Sequence, residues 1–287
     1  MPTEFIERGG LGNPDDGGSK ESIKLRPIHY LRSEAPTEML VAAEKYERKF
    51  GIRFDSLTYF SKELFDTLHR KEGDVTKVPD SVTIASQSDE TILDDMEALG
   101  QVANSESVSL HQRERYFSAL KSIYGKLPSR PDLAAQDEST LFVGIEREGR
   151  ILAEAMGWLP ATHNLHPDAK RVAYDEGLLI GLGEFPPLRT YSRCFIIDGA
   201  IASGATIITV IEKLRALTPS FHIYSVHSPY EGLHAITRYG RSEGIDVSIS
   251  VGHATTGINA KFYAVDPSDP ARVVVGDLGD TINDLQS

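Results

Sequence analysis

The sequence predicts an α/β fold: a mostly parallel sheet flanked by helices, preceded by an N-terminal helical extension. Three observations carry this. After about residue 140, short apolar β-branched runs alternate with helix-length segments, the signature of βαβ units. Between residues 36 and 126, apolar residues recur at helix spacing instead. Pro128-Ser129-Arg130-Pro131 punctuates the change. The expected organisation is therefore an arm at 1–25, a helical region at 26–130 and an α/β domain at 131–287.

The arm is rich in Gly, Asp, Asn and Pro (Gly9 to Gly18) and has too little apolar surface to offset the entropy of ordering, so it reads as flexible. Pro36-Thr37 suits a helix start, followed by Met39, Leu40, Ala43, Tyr46 and Phe50 on one stripe. Phe60, Leu64, Phe65 and Leu68 make a second stripe. Ile92, Leu93, Met96 and Leu99 make a third, ended by Gly100. Tyr116, Phe117, Leu120, Ile123 and Tyr124 make a fourth, ended by Gly125. Beyond the boundary the expected order is strand Leu141–Ile145, helix 149–158, strand Arg193–Asp198 and helix Gly204–Leu217. Strand Phe221–His227, helix Tyr230–Tyr239 and strand Asp246–Val251 follow.

The bulk composition narrows the function classes. A formal net charge of -12 argues against general nucleic-acid binding, which needs a basic face. It leaves open a small polyanion held locally by backbone N–H groups and an arginine. One cysteine, Cys194, permits neither an internal disulfide nor a cysteine-rich zinc site, and fits a reducing, cytoplasmic setting. No apolar run approaches a membrane span, and the first residues do not read as a secretory signal.

The segment that carries chemistry is Arg193-Cys-Phe-Ile-Ile-Asp198-Gly-Ala-Ile-Ala-Ser-Gly204-Ala-Thr206. A buried strand ends in an acid, a loop of small residues follows, and a helix begins. Small residues admit a close backbone approach, and N–H groups at a helix start favour a phosphate. An acid at the carboxyl end of a strand sits where open α/β sheets bind ligands. Three other readings compete. A nucleotide-triphosphatase loop needs lysine where Ala205 stands. A serine-hydrolase elbow needs glycines where Ile201 and Ala205 flank Ser203, with His253 as the base. The third is an ordinary strand–loop–helix turn without a ligand.

This segment resembles the PRPP-binding motif of the type I phosphoribosyltransferases, where PRPP is 5-phosphoribosyl 1-pyrophosphate. Most members have two adjacent acids at the strand end; here Asp198 is followed by Gly199, nearer to the Asp-Pro of the uracil phosphoribosyltransferase branch. Pro229-Tyr-Glu231-Gly232, Gly257-Ile-Asn259-Ala-Lys-Phe-Tyr263-Ala-Val265 and Gly276-Asp277-Leu-Gly279-Asp280 resemble further motifs of that branch, in the same order. The resemblance covers about residues 140–285, and residues 26–130 do not match it.

The resemblance implies transfer of a phosphoribosyl group from PRPP to a nitrogenous base, with Mg²⁺ as cofactor and a homodimer or higher assembly. Ala202, Ser203, Gly204, Ala205 and Thr206 would hold the 5′-phosphate, and Asp198 the ribose hydroxyls. Arg147 aligns with the pyrophosphate-loop arginine, flanked by Glu146 and Glu148, two acids unwelcome beside a polyanion. Lys170 and Arg171 would neutralise the leaving group from a flap over His163–Leu182. Tyr263, Ala264, Val265 and Gly276 would face the base, in a pocket reshaped by Phe262 and by the Asp266–Arg272 insertion. Mg²⁺ would be held mainly by PRPP, with Asp277 the protein ligand that the resemblance offers. His163 and His166 lack a third metal ligand and read as loop histidines. A non-catalytic PRPP- or nucleotide-binding regulator of the same fold is the alternative.

Overall fold

The computed structural model describes residues 28–50, 56–59, 77–128, 139–145, 149, 152, 162–165, 178–180, 190–259, 263–276 and 278–286. In chain order the elements begin with β1 (Ile28–Leu31), α1 (Thr37–Phe50), β2 (Ser56–Tyr59) and β3 (Val82–Ile84). Next come α2 (Thr91–Ala103), α3 (Leu110–Lys126), β4 (Thr140–Ile145), β5 (Thr162–Leu165) and β6 (Leu178–Ile180). Then follow β7 (Arg193–Ala200), α4 (Ala205–Leu214), β8 (Ser220–Pro229), α5 (Tyr230–Glu243) and β9 (Asp246–Thr255). The last are β10 (Val265–Asp266), β11 (Asp269–Val273) and α6 (Leu278–Gln286).

Six strands pair in the order β3-β9-β8-β7-β4-β5, every pair parallel. The expected mostly parallel sheet flanked by helices is thus present. Parallel strands joined by crossover helices must bury both faces, and the alternation along β7 shows how. Cys194 and Ile196 enter a core with Ile207, Ile208 and Ile211 of α4 and Leu233 and Ile236 of α5. Phe195 and Ile197 enter the opposite core, with Leu99 of α2, Ile123 of α3 and Ile282 of α6. Each fully buried aliphatic or aromatic side chain contributes roughly 1.5–3 kcal/mol. Ser109 starts α3 with a capping box: its hydroxyl accepts from Gln112 N–H at 3.3 Å, and Gln112 Oε1 accepts from Ser109 N–H at 2.9 Å.

The region expected to be helical also contains strands. β1 and β2 pair antiparallel, and β6 adds to β2. β3 pairs with β9 inside the main sheet, while α2 and α3 cover one of its faces. The chain on both sides of Pro128–Pro131 therefore builds one sheet and its cores, and the expected boundary does not separate two cores. Strands of three or four residues are too short for a period-2 pattern to register. Similarly, α2 runs through Gly100 to Ala103 instead of ending there. A Cβ on Gly100 would lie 2.7 Å from the Val274 carbonyl oxygen, so this glycine serves a close packing contact. His163, expected to open a flap, lies in β5 opposite Val143. The arm, the Phe60–Leu68 stripe and most of the expected helix over 149–158 lie outside the described residues.

Candidate functional site

Where β7 ends, the chain is pinned before it turns into α4. Ile201 N–H donates to the His227 carbonyl at 3.0 Å and to Ser225 Oγ at 3.4 Å. Ser225 Oγ, fully buried, also lies 3.0 Å from the Gly199 carbonyl oxygen, to which it can donate. Gly204 caps α4 with φ 81, a left-handed value that suits glycine. Ser203 Oγ accepts from Ala205 N–H at 3.3 Å, and Ile208 N–H closes the first turn on the Gly204 carbonyl at 3.0 Å. The N–H groups of Thr206 and Ile207 have no carbonyl to bond within the helix, and the helix dipole adds to their positive field.

The loop is held from outside by α5. A Cβ on Gly232 would lie 2.2 Å from the Ala202 carbonyl oxygen, and one on Gly204 would lie 3.0 Å from the Gly232 carbonyl. Pro229–Gly232 therefore forms a wall against the loop between β7 and α4. Its Glu231 reaches a third motif: both carboxylate oxygens accept from Gly257 N–H, at 3.2 and 3.3 Å. Three segments singled out in the sequence thus meet.

Of the residues expected to hold a 5′-phosphate, Ala202, Ser203 and Ala205 are half-buried, while Gly204 and Thr206 are buried. Asp198 is only 3% exposed, and its carbonyl oxygen accepts from Tyr124 OH at 3.3 Å. By strand alternation its side chain shares the face of Cys194 and Ile196, the α4 face. The expected pyrophosphate loop leaves from a strand end and returns against β7. Ile145 closes β4, and a Cβ on Gly149 would lie 2.3 Å from the Ile197 carbonyl oxygen. Arg147, Glu146, Glu148, Lys170, Arg171, His166 and Asp277 lie outside the described residues.

In the segment expected to face a base, Tyr263 and Asn259 are tied by a reciprocal pair. Tyr263 N–H donates to Asn259 Oδ1 and Asn259 N–H to the Tyr263 carbonyl, both at 3.0 Å. Ala264 and Val265 are buried, and β10 and β11 close the Asp266–Arg272 insertion into a hairpin. Gly276 adopts φ 62, with its Cβ position 3.2 Å from Ala103 Cβ on α2.

Histidines at the carboxyl ends of β8 and β9 were not expected as part of a transferase site. His227 is fully buried: Nε2 pairs with Thr255 Oγ1 at 3.1 Å, and Nδ1 has no partner. His253 Nδ1 pairs with Ser86 Oγ at 2.9 Å. Among the described residues no hydrogen bond joins Ser203 to His253, as the hydrolase reading would need: Ser203 Oγ accepts from Ala205 N–H, and His253 Nδ1 pairs with Ser86. The signal available in the sequence was positional, two histidines and a threonine at the ends of adjacent parallel strands.

Burial, with the neighbouring His253 adding to it, lowers the His227 imidazole to about 3, and burial lowers His222 to about 4. A histidine that stays neutral in the fold but titrates near 6.5 when unfolded contributes stability that is complete above pH 6.5 and declines as pH falls towards the folded value. From pH 7 to 5, His227 alone is expected to cost about 2 kcal/mol of stability. Urea midpoints at the two pH values measure it; equal midpoints would refute a neutral buried ring.

No family model matches the chain, and no curated protein matches it. Among solved structures, the AQ2163 protein from Aquifex aeolicus is similar at 17% identity, covering 70% of this chain and 97% of its own, with a TM-score of 0.47. Orotate phosphoribosyltransferase from Mycobacterium tuberculosis, in complex with inorganic phosphate, shares 14% identity over 59% of this chain and 94% of its own, TM-score 0.35. Adenine phosphoribosyl transferase from Trypanosoma brucei, in complex with AMP, pyrophosphate and ribose-5-phosphate, shares 16% over 56% and 79%, TM-score 0.37. No helix among the described residues is long and apolar enough to cross a membrane.

Proposed function

We propose that the chain is a phosphoribosyltransferase that moves the 5-phosphoribosyl group from PRPP to a nitrogenous base and releases pyrophosphate. The observation that carries this reading is the turn between β7 and α4: a buried Asp198 at the strand end, a left-handed Gly204, and helix-start N–H groups walled by Gly232. An acid and an anion cradle six residues apart suit a sugar phosphate, with hydroxyls for the one and a terminal phosphate for the other.

In the reaction the C1–oxygen bond to pyrophosphate breaks with its electron pair leaving on oxygen, and a base nitrogen forms the new C1–N bond while its N–H proton passes to the released pyrophosphate or to solvent. Such chemistry needs positioning and charge stabilisation more than covalent machinery. Thr206 and Ile207 N–H would fix the phosphate, Asp198 would accept from the ribose hydroxyls, and Arg147, Lys170 and Arg171 would take charge on the leaving group. Among the described residues no group of three or more His, Cys, Asp or Glu is placed to hold a metal ion. In this reading Mg²⁺ would be bound chiefly through polyphosphate oxygens, with Asp277 offering a hard carboxylate. When bound, the ion would neutralise the departing pyrophosphate. Assembly as a homodimer or higher and a cytoplasmic setting belong to this reading.

A second reading, a regulator that binds PRPP without turning it over, is favoured by Glu146 and Glu148 beside Arg147. Pyrophosphate release with PRPP, Mg²⁺ and a panel of bases separates the two. Base-dependent release is expected, whereas PRPP binding without release for any base would support the regulator.

A further inference from the structure

Beside the β10–β11 hairpin lies a cavity of about 310 Å³, walled by Met96 and Glu97 of α2, His253 and Thr255 of β9, and Asp266 and Arg272 of the hairpin. Its volume lies at the small end of the usual range for ligand pockets. It opens at the carboxyl end of the sheet, two strands from the phosphate turn. Ala200, His227 and His253 are register partners across β7, β8 and β9, so the separation is about 10 Å at ~4.8 Å per strand. A single nucleotide can bridge such a gap.

The polar groups of this cavity have a definite sense. His227 Nδ1 is buried without a partner. An orphaned buried N–H is rarer than an under-used acceptor, which assigns the proton to Nε2. Nε2–H then donates to Thr255 Oγ1, and the Thr255 O–H is left to donate into the cavity that Thr255 lines. His253 has Nδ1 engaged by Ser86, which leaves Nε2 for a ligand. Burial lowers the pKa of both imidazoles, so the rings are uncharged at neutral pH. Two carboxylates, Glu97 and Asp266, face one guanidinium, Arg272. Asp266 is kept ionised by the Ser268 hydroxyl and N–H that donate to it. The walls therefore carry an excess of negative charge, which disfavours an anionic ligand.

We infer that this cavity is the acceptor site and that it takes an uncharged heterocycle, with a carbonyl or ring nitrogen accepting from the Thr255 hydroxyl, in preference to a carboxylated one. This rests on the phosphoribosyl-transfer reading and goes beyond it by assigning acceptor recognition to Thr255 and His253 in place of Tyr263, Ala264, Val265 and Gly276, which do not line this cavity.

The test is initial-rate pyrophosphate release with PRPP, Mg²⁺ and each of uracil, adenine, hypoxanthine and orotate, for the wild type, Thr255→Val and Thr255→Ser. PRPP binding is measured alongside by calorimetry. One of the uncharged bases is expected to be the best acceptor. Thr255→Val should raise its KM about tenfold, the loss of one hydrogen bond, and Thr255→Ser should restore it. PRPP affinity should stay equal in all three. If Thr255→Val does not fold, His253→Ala serves, with the same expected rise in KM. Orotate as the best acceptor, or an unmoved KM with release continuing, overturns the acceptor site and leaves transfer standing. No release from any base overturns the transfer reading and this inference with it.

Discussion

Asp198→Asn is expected to lower phosphoribosyl transfer by about two orders of magnitude and to leave the fold intact. Hydrogen bonds to an ionised carboxylate are worth roughly 1.5–3 kcal/mol each, against about 0.5–1.5 for neutral pairs. A carboxylate accepting from two ribose hydroxyls loses about half of that when it becomes an amide, and the amide turns a donor towards one hydroxyl. A loss of about 3 kcal/mol corresponds to roughly a hundredfold in rate at 1.36 kcal/mol per decade. The strand should not suffer. Asn has the same shape, Ser225 still pins the following loop, and Tyr124 OH donates to the Asp198 backbone carbonyl, which the substitution does not touch. Steady-state rates with PRPP, together with thermal melting, check both halves of the expectation. Near-normal turnover would remove the ribose contact from Asp198.

The parts of this site legible in sequence are those written locally. β7, its terminal acid, the small-residue loop and α4 follow from a β-branched run, a carboxylate and an amphipathic helix in immediate succession. The motifs at Pro229–Gly232 and Gly257–Val265 are legible as pieces, but their contacts are not. That Glu231 accepts from Gly257 N–H, or that Gly232 presses on Ala202, depends on chain segments about 25–30 residues apart meeting in space. β3 was invisible for another reason. Its three residues take their strand conformation from pairing with β9, a tertiary effect that no local propensity carries. The neutral character of His227 and His253 comes from burial, which depends on what the fold lays over them. Gly100 misled in an instructive way, because a glycine required for a close helix contact looks in sequence like one that ends a helix.

Gly232→Ala should break the anion turn more thoroughly than any change within the turn's own side chains. The added Cβ would meet the Ala202 carbonyl oxygen at 2.2 Å, the Ala202 carbonyl carbon at 3.3 Å and Ile201 Cγ2 at 3.1 Å. Two of these are backbone atoms, which have no rotamer by which to move aside. α5 cannot readily retreat, since Leu233 and Ile236 are wholly buried in the core and Glu231 is fastened to Gly257. The loop is the softer partner and must shift, carrying the N–H groups of Thr206 and Ile207 off their aim. Overpacking of this kind costs roughly 1–3 kcal/mol of stability. PRPP affinity should fall about tenfold or more, because a displaced donor loses most of a charge-assisted bond. Gly125→Ala is the control: nothing lies within 4 Å of its Cβ position, and it sits in the last turn of α3. There, alanine should leave PRPP binding unchanged and raise stability by up to about 1 kcal/mol. Calorimetric titration of PRPP into the three proteins reads the contrast directly. Equal affinity in Gly232→Ala and the wild type would mean that the phosphate is not held where β7 runs into α4.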